Sequence, residues 1–128
     1  MKKITMTIPL KPITKKNSQR IATRKTKTGK ETHFILQSKQ YVQYEKDVGY
    51  FIKGRGLMID YPVNVKCVYY MPTRRRVDLT NLMEATHDIL VKYEVLKDDD
   101  YKIIQSVDGS RVHYDKDNPR TEIEITKI

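Results

Sequence analysis

The stretch VNVKCVYYMPTRRRVDLTNLMEATHDIL, Val63 to Leu90, changes its hydrophobic period half-way along. Val63, Val65, Cys67 and Tyr69 alternate with their neighbours, which puts them on one face of a strand. From Leu79 onward the apolar positions are Leu82, Met83, Thr86, Ile89 and Leu90, with Tyr93 next, the stripe of an amphipathic helix. Pro72 and the run Arg74, Arg75, Arg76 lie between the two patterns. A strand ending near Pro72 and a helix opening at Asp78 place that connecting segment at the rim of a sheet. Cys67, on the apolar strand face, reads as a core residue rather than a nucleophile.

Working outward, residues 3–8 alternate as a first strand, with Ile4, Met6 and Ile8 on one side. Residues 1–30 then carry ten Lys or Arg and no Asp or Glu. Within them a polar, basic arm spans about 11–30, where TKTGK marks a turn and the following THFILQS is strand-like, so the arm is a hairpin or a long loop. Ser38 is the expected N-cap of a helix running to about Lys53. Its buried face is Tyr41, Tyr44, Val48, Phe51 and Ile52, and KGRG ends it. After the second helix KDDD breaks the pattern, and two strands follow, at about 101–113 and 120–127, joined by the turn DKDNPR. The predicted fold is α+β in two layers: a mixed β-sheet with two helices packed on one face, in the order β, hairpin, α, β, α, β, β. A single domain covers residues 1–128.

The formal charge of +9 points to a phosphate-rich partner. No apolar run is long enough to span a bilayer, and the N-terminus has a strand pattern in place of a signal peptide. One cysteine rules out an internal disulfide framework and suits the cytoplasm. His33, His87 and His113 lack a metal-ligand spacing. The informative residues are the acids, because a protein that only bound a polyanion would do better without them beside its arginines. Asp78 is explained locally as a helix N-cap, and Asp98, Asp99 and Asp100 as a solvated turn. Asn81, Glu84 and Asp88 share one polar side of the second helix at three- and four-residue steps. The functional explanation is that carboxylates at the rim hold a hard divalent cation such as Mg²⁺ while the arginines and lysines hold phosphates. That requires the strand entered at Asp98 or Asp99 to return alongside Asp78.

The text RRRVDLTNLMEATHDIL followed by YEVLKDDD resembles the RusA-type Holliday junction resolvases. That family has a basic run, then Asp-x-Asp-Asn-x-x-Lys opening a helix, an Asp-x-Leu, and a late Asp-Asp pair. Asp78 matches the first aspartate, Asn81 the asparagine, Asp88 with Leu90 the Asp-x-Leu, and Asp98 with Asp99 the late pair. IPLKPITKKNS and SKQYVQYEKDV resemble the family's first strand and loop and its first helix, so the likeness runs over nearly the whole chain. It implies a homodimer that hydrolyses phosphodiester bonds at four-way DNA junctions with Mg²⁺, Mn²⁺ serving as well, in recombination or repair. Such genes often travel with phages and prophages, and no small-molecule cofactor or membrane is implied. Asp78 and Asp99 are then the metal ligands, with Asp98 beside them.

Two positions depart from the family pattern. The second motif aspartate is Thr80 here, and the motif lysine is Glu84. Positions 80 and 84 lie one helical turn apart on the same side, so Glu84 is expected to supply the missing carboxylate as a further catalytic ligand. Thr80, Asn81 and Asp88 then support the helix around the site. The cation lost at 84 must come from Arg74, Arg75, Arg76 or the arm. Lys15, Lys16, Arg20, Arg24, Lys25, Lys27 and Lys30 are the expected phosphate contacts, which position DNA without reading sequence. The alternative is a catalytically weakened or non-catalytic module for branched or duplex DNA, or for structured RNA.

Overall fold

The computed structural model describes residues 3–15, 20–25, 27–36, 38–52 and 56–128. The alternating segment Lys3–Ile8 is β1, and Arg20–Lys25 and Glu31–Leu36 are β2 and β3. Helix α1 covers Lys39–Ile52 and is followed by β4, Val63–Met71. Helix α2 is Leu79–Lys92, and β5 (Ile104–Ser106), β6 (Arg111–Tyr114) and β7 (Arg120–Lys127) complete the order. The main sheet is mixed: β7 lies between β1 and β4 and is antiparallel to both, while β5 and β6 share the other edge of β4 and run parallel to it. The basic arm does form a hairpin, β2 with β3, in a two-stranded sheet of its own. Gly29, at φ 81°, supplies its turn.

One core cluster takes in Met6 and Ile8 of β1, Val65, Cys67 and Tyr69 of β4, and Ile123 and Ile125 of β7. It also takes in Tyr41, Val48 and Ile52 of α1 and Leu82, Ile89 and Leu90 of α2. Both helices therefore cover one face of the sheet, as the two periods of the sequence demand. Ser38 caps α1 as expected, its Oγ accepting the Tyr41 N–H at 3.1 Å. Phe51, expected in the core, is 40% exposed, and the small residue Gly49, on another side of the helix, is buried. The ring of Tyr93 fills the notch at Gly49, and its hydroxyl donates to the Glu45 carbonyl at 3.0 Å. Lys92 pairs with the Glu45 carboxylate beside it.

The single strand expected at about 101–113 is in fact two. Asn64 of β4 accepts hydrogen bonds on its amide oxygen from Ser106 Oγ (2.6 Å) and the Asp108 N–H (2.8 Å), and its amide nitrogen donates to the Asp108 carbonyl at 3.2 Å. Ser110 Oγ accepts the Cys67 N–H at 3.0 Å. These polar side chains replace ladder bonds and, with Gly109 at φ 88°, turn the chain between β5 and β6. No helix among the described residues is long and apolar enough to cross a membrane.

Candidate active site

Asp78 starts α2 with its backbone. At φ −92° and ψ 127° its carbonyl accepts the N–H groups of Asn81 (3.1 Å) and Leu82 (3.2 Å). Its carboxylate makes no capping hydrogen bond. Asn81 Nδ2 donates to Asp78 Oδ2 at 3.4 Å. The local explanation of this residue as a side-chain cap is thus not what the structure realises. An exposed carboxylate stands at the positive end of a helix with its oxygens available.

Beside it is a basic cleft of about 230 Å³. The segment leaving β4 contributes Thr73, Arg75 and Arg76, the loop after β1 contributes Lys11 and Thr14, and Gln40 comes from the first turn of α1. Lys11, Thr14, Thr73 and Gln40 were not singled out from the sequence. Lys11 was one basic residue among many, and only the sheet order reveals that its loop faces the arginine segment. Arg74 turns elsewhere, its guanidinium stacking on the Tyr114 ring at 4.1 Å.

Further along α2, Glu84 is exposed and Asp88 half-buried. Asp88 Oδ2 accepts Lys15 Nζ at 2.5 Å. The same ammonium lies 5.7 Å from the centroid of the Tyr41 ring. The Tyr41 hydroxyl is buried without a hydrogen-bond partner among the described residues. Burial first, and then the negative charges of Glu45, Asp88 and Glu84, push it well above the usual phenol range. His87 is shifted down by burial, against the pull of Asp99 and Asp88.

Of the three late aspartates, Asp100 builds a turn, its carbonyl accepting the N–H groups of Ile103 (3.0 Å) and Ile104 (2.9 Å). Asp98 Oδ1 accepts the Asp99 N–H at 2.8 Å. The Asp99 carboxyl is held above the usual range by desolvation, by its side-chain contact with Asp98 and by the charge of Asp88. The charge of Asp88 is thus felt at Asp99, while no contact joins either late aspartate to Asp78 among the described residues. Asp78 caps the start of α2, about 15 Å from Asp88 along the axis at roughly 1.5 Å per residue. Among the described residues no three His, Cys, Asp or Glu side chains stand close enough to hold a metal ion. The donor chemistry nevertheless suits a hard cation: oxygens only, and like charges around Asp99 that a divalent ion would relieve.

Of the expected phosphate contacts, Lys15 is at this site, and Lys27 and Lys30 lie in the exposed hairpin turn. Arg20, Arg24 and Lys25 lie on β2, and Lys16 is outside the described residues. Thr80 and Asn81 sit in the first turn of α2, Thr80 exposed and Asn81 half-buried.

The family model described as endodeoxyribonuclease RusA matches residues 9–126. A relative from Enterobacteria phage 82, named crossover junction endodeoxyribonuclease rusA, is 38% identical over 68 residues. The match covers 48% of this chain and 57% of that relative, so it spans little more than half of the relative's length.

Proposed function

Since the chain belongs to the endodeoxyribonuclease RusA family, we propose that it is a metal-dependent endonuclease that hydrolyses phosphodiester bonds at four-way DNA junctions. The observation that carries this is the Asp78 carboxylate, exposed, unused in capping, and one residue beyond the Arg75–Val77 wall of a basic cleft. Lys11, Arg75 and Arg76 hold backbone phosphates there, and the basic β2–β3 arm supplies further phosphate contacts. Asp78 is the carboxylate that would hold Mg²⁺, or Mn²⁺ in its place, at the cleft; Asp98, Asp99 and Glu84, the other expected ligands, are not gathered around it in the described residues of one chain. The ion would supply charge stabilisation at the phosphate and a more acidic water. The protein's part is to fix the phosphate against those oxygens, with Asn81 steadying the Asp78 side chain.

A junction presents two equivalent strands, and a homodimer offers two such sites. A second copy also bears on the one observation that favours another reading. The described residues of a single chain assemble no three-carboxylate cluster, which a non-catalytic junction-binding protein would not need. Incubation of a synthetic four-way junction with wild type, Asp78→Asn and Glu84→Ala, with Mg²⁺, Mn²⁺ or EDTA, separates the two. The endonuclease reading requires metal-dependent nicking that Asp78→Asn abolishes. Tight binding without nicking in either metal selects the binding module, and full activity of Glu84→Ala removes Glu84 from the ligand set.

A further inference from the structure

The three consecutive arginines after β4 do not all face the same way. Arg75 and Arg76 line the cleft together with Met71 and Thr73. Arg74 lies instead over the ring of Tyr114, its guanidinium carbon 4.1 Å from the ring centroid. Tyr114 is the last residue of β6, and the sheet sets it beside the cleft wall. It is the register partner of Met71, and the next residue, Asp115, donates its N–H to the Met71 carbonyl at 2.8 Å. Neighbouring strands lie about 4.8 Å apart, and paired residues present their side chains on one face. Tyr114 therefore flanks the end of β4 on the side away from β1, whose following loop lines the cleft's other wall.

Folding does not consume this ring. Met71 is 9% exposed and belongs to the core cluster, whereas Tyr114 stands outside that cluster and is 43% exposed. A cation over an exposed ring adds little to stability. The second such pair on these strands is different in kind. Arg120 lies 3.6 Å from the centroid of Tyr70, on the opposite face of β4, and is bonded to Asp115 and Glu122. Its charge is balanced within the fold. Among the described residues Arg74 makes no ion pair. The Asp115 carboxylate beside Tyr114 is taken up by Arg120 at 3.0 Å and by the N–H groups of Asp117 and Asn118. Arg74 thus keeps its full positive charge next to an open aromatic surface.

We propose that Tyr114, backed by Arg74, is a stacking platform for a base exposed at the branch point of a DNA junction; this rests on the junction substrate of the reading above. In continuous duplex every base is stacked on both sides, so a flat ring at the protein's rim finds no base face to cover. At a branch point the helices are interrupted, and bases there have a face open to a new partner. Arg75 and Arg76 hold phosphates on one side of the end of β4, and the ring meets the base on the other. The Arg74 guanidinium points its N–H donors outward in its own plane, toward the phosphate next to that base. An aromatic face accepts any of the four bases. Tyr114 accordingly selects DNA by shape and not by sequence, and it touches no reacting atom.

The test is binding in EDTA, where no strand is cut, to a four-way junction and to a linear duplex with the same arm sequences. Wild type is compared with Tyr114→Ala, Tyr114→Leu, Tyr114→Phe and Arg74→Gln, and a fluorescent adenine analogue at the branch point reports stacking. Tyr114→Ala is expected to weaken junction binding about 5- to 150-fold, the scale of one base stack, and to leave duplex binding unchanged. Tyr114→Leu, which keeps an apolar side chain on β6, should lose as much and should abolish the analogue's response. Tyr114→Phe should bind as wild type does. Arg74→Gln should weaken both DNAs and lower the log–log salt slope by roughly 0.9, one phosphate contact. Wild-type junction affinity in Tyr114→Ala or Tyr114→Leu overturns the proposal. So does an equal loss on duplex, a phenylalanine variant as weak as the alanine one, an analogue response that survives Tyr114→Leu, or an unchanged slope for Arg74→Gln. A wild-type protein with no preference for the junction removes this inference and the junction substrate together. Nicking is scored separately with Mg²⁺: a junction bound selectively through Tyr114 but left uncut removes the endonuclease reading and upholds the platform.

Discussion

Gly49→Ala tests how closely the two helices beneath the site are set. A Cβ added at Gly49 would lie 2.6 Å from Tyr93 Cζ, 2.7 Å from its hydroxyl oxygen and 2.9 Å from Cε1. All three are far inside contact distance, so the ring must leave. Forcing a methyl group into a filled site costs about 1–3 kcal/mol. Displacing Tyr93 also breaks its 3.0 Å bond to the Glu45 carbonyl, worth about 0.5–1.5 kcal/mol. Against this, alanine is better than glycine in a helix by about 1 kcal/mol. The net expectation is destabilisation of about 1–3 kcal/mol. In urea, with a slope of about 2 kcal/mol per molar, the midpoint falls by roughly 0.5–1.5 M. The assay is far-UV circular dichroism in urea on Gly49→Ala, Tyr93→Ala and the double variant. Removing the ring first opens the notch, so the alanine should then stabilise. An alanine that stabilises the otherwise wild-type protein by about 1 kcal/mol, as helix propensity alone gives, refutes the contact; so does the same cost in both backgrounds.

Asp78→Asn should change stability by less than about 0.5 kcal/mol, because the native side chain makes no cap bond and asparagine is an equally good N-cap residue. The same variant should lose at least about 100-fold in junction cleavage, so urea unfolding and nicking assays on one sample separate fold from chemistry. The Cys67 thiol, pushed up to about 12 by burial, should resist a thiol reagent at pH 8 and react only when urea unfolds the chain; rapid labelling of native protein would contradict the core assignment. His87 titrates below its ordinary value because it is buried, so the unfolded chain takes up the proton first as pH falls below about 6.5. Its stabilising contribution is present above that pH and is lost as pH drops through the folded-state value. His87→Gln should therefore lose less stability than wild type between pH 7.5 and pH 5.5, by denaturant titration.

Local pattern explains what could be read in advance. The change of period at Pro72–Asp78 located β4 and α2, and the alternation at Val63–Tyr69 put Cys67 in the core. The charge imbalance and TKTGK turn marked the hairpin. Where the reading departed, a side chain far along the chain decided the outcome. Residues 101–113 alternate like one strand, yet the Asn64 amide captures the backbone at Asp108 and divides it. Phe51 has the right helical phase for burial yet stays 40% exposed, whereas the Tyr93 ring meets α1 on another side, at Gly49. The acidic positions were legible as types and not as neighbours. Lys15 and Asp88 are 73 residues apart, and no spacing rule connects them. Nor does any rule place Asp99 nearer the Asp88 end of α2 than the Asp78 end.

The position of β7 has a consequence for how the chain acquires its shape. This strand sits between β1 and β4, with Ile123 opposite both Met6 and Cys67, yet it is the last strand in chain order. Until it arrives, β1 and β4 have no common partner. From Met71 to Arg120 is 49 residues, which a ribosome takes about 2–10 s to make at roughly 5–20 residues per second. Throughout that interval two apolar strands wait with open edges, so the nascent protein depends on chaperones or on its own charge to stay in solution. Sheet closure joins residues from opposite ends of the sequence, and refolding in vitro should run in milliseconds to seconds, the pace of sheets built from distant segments.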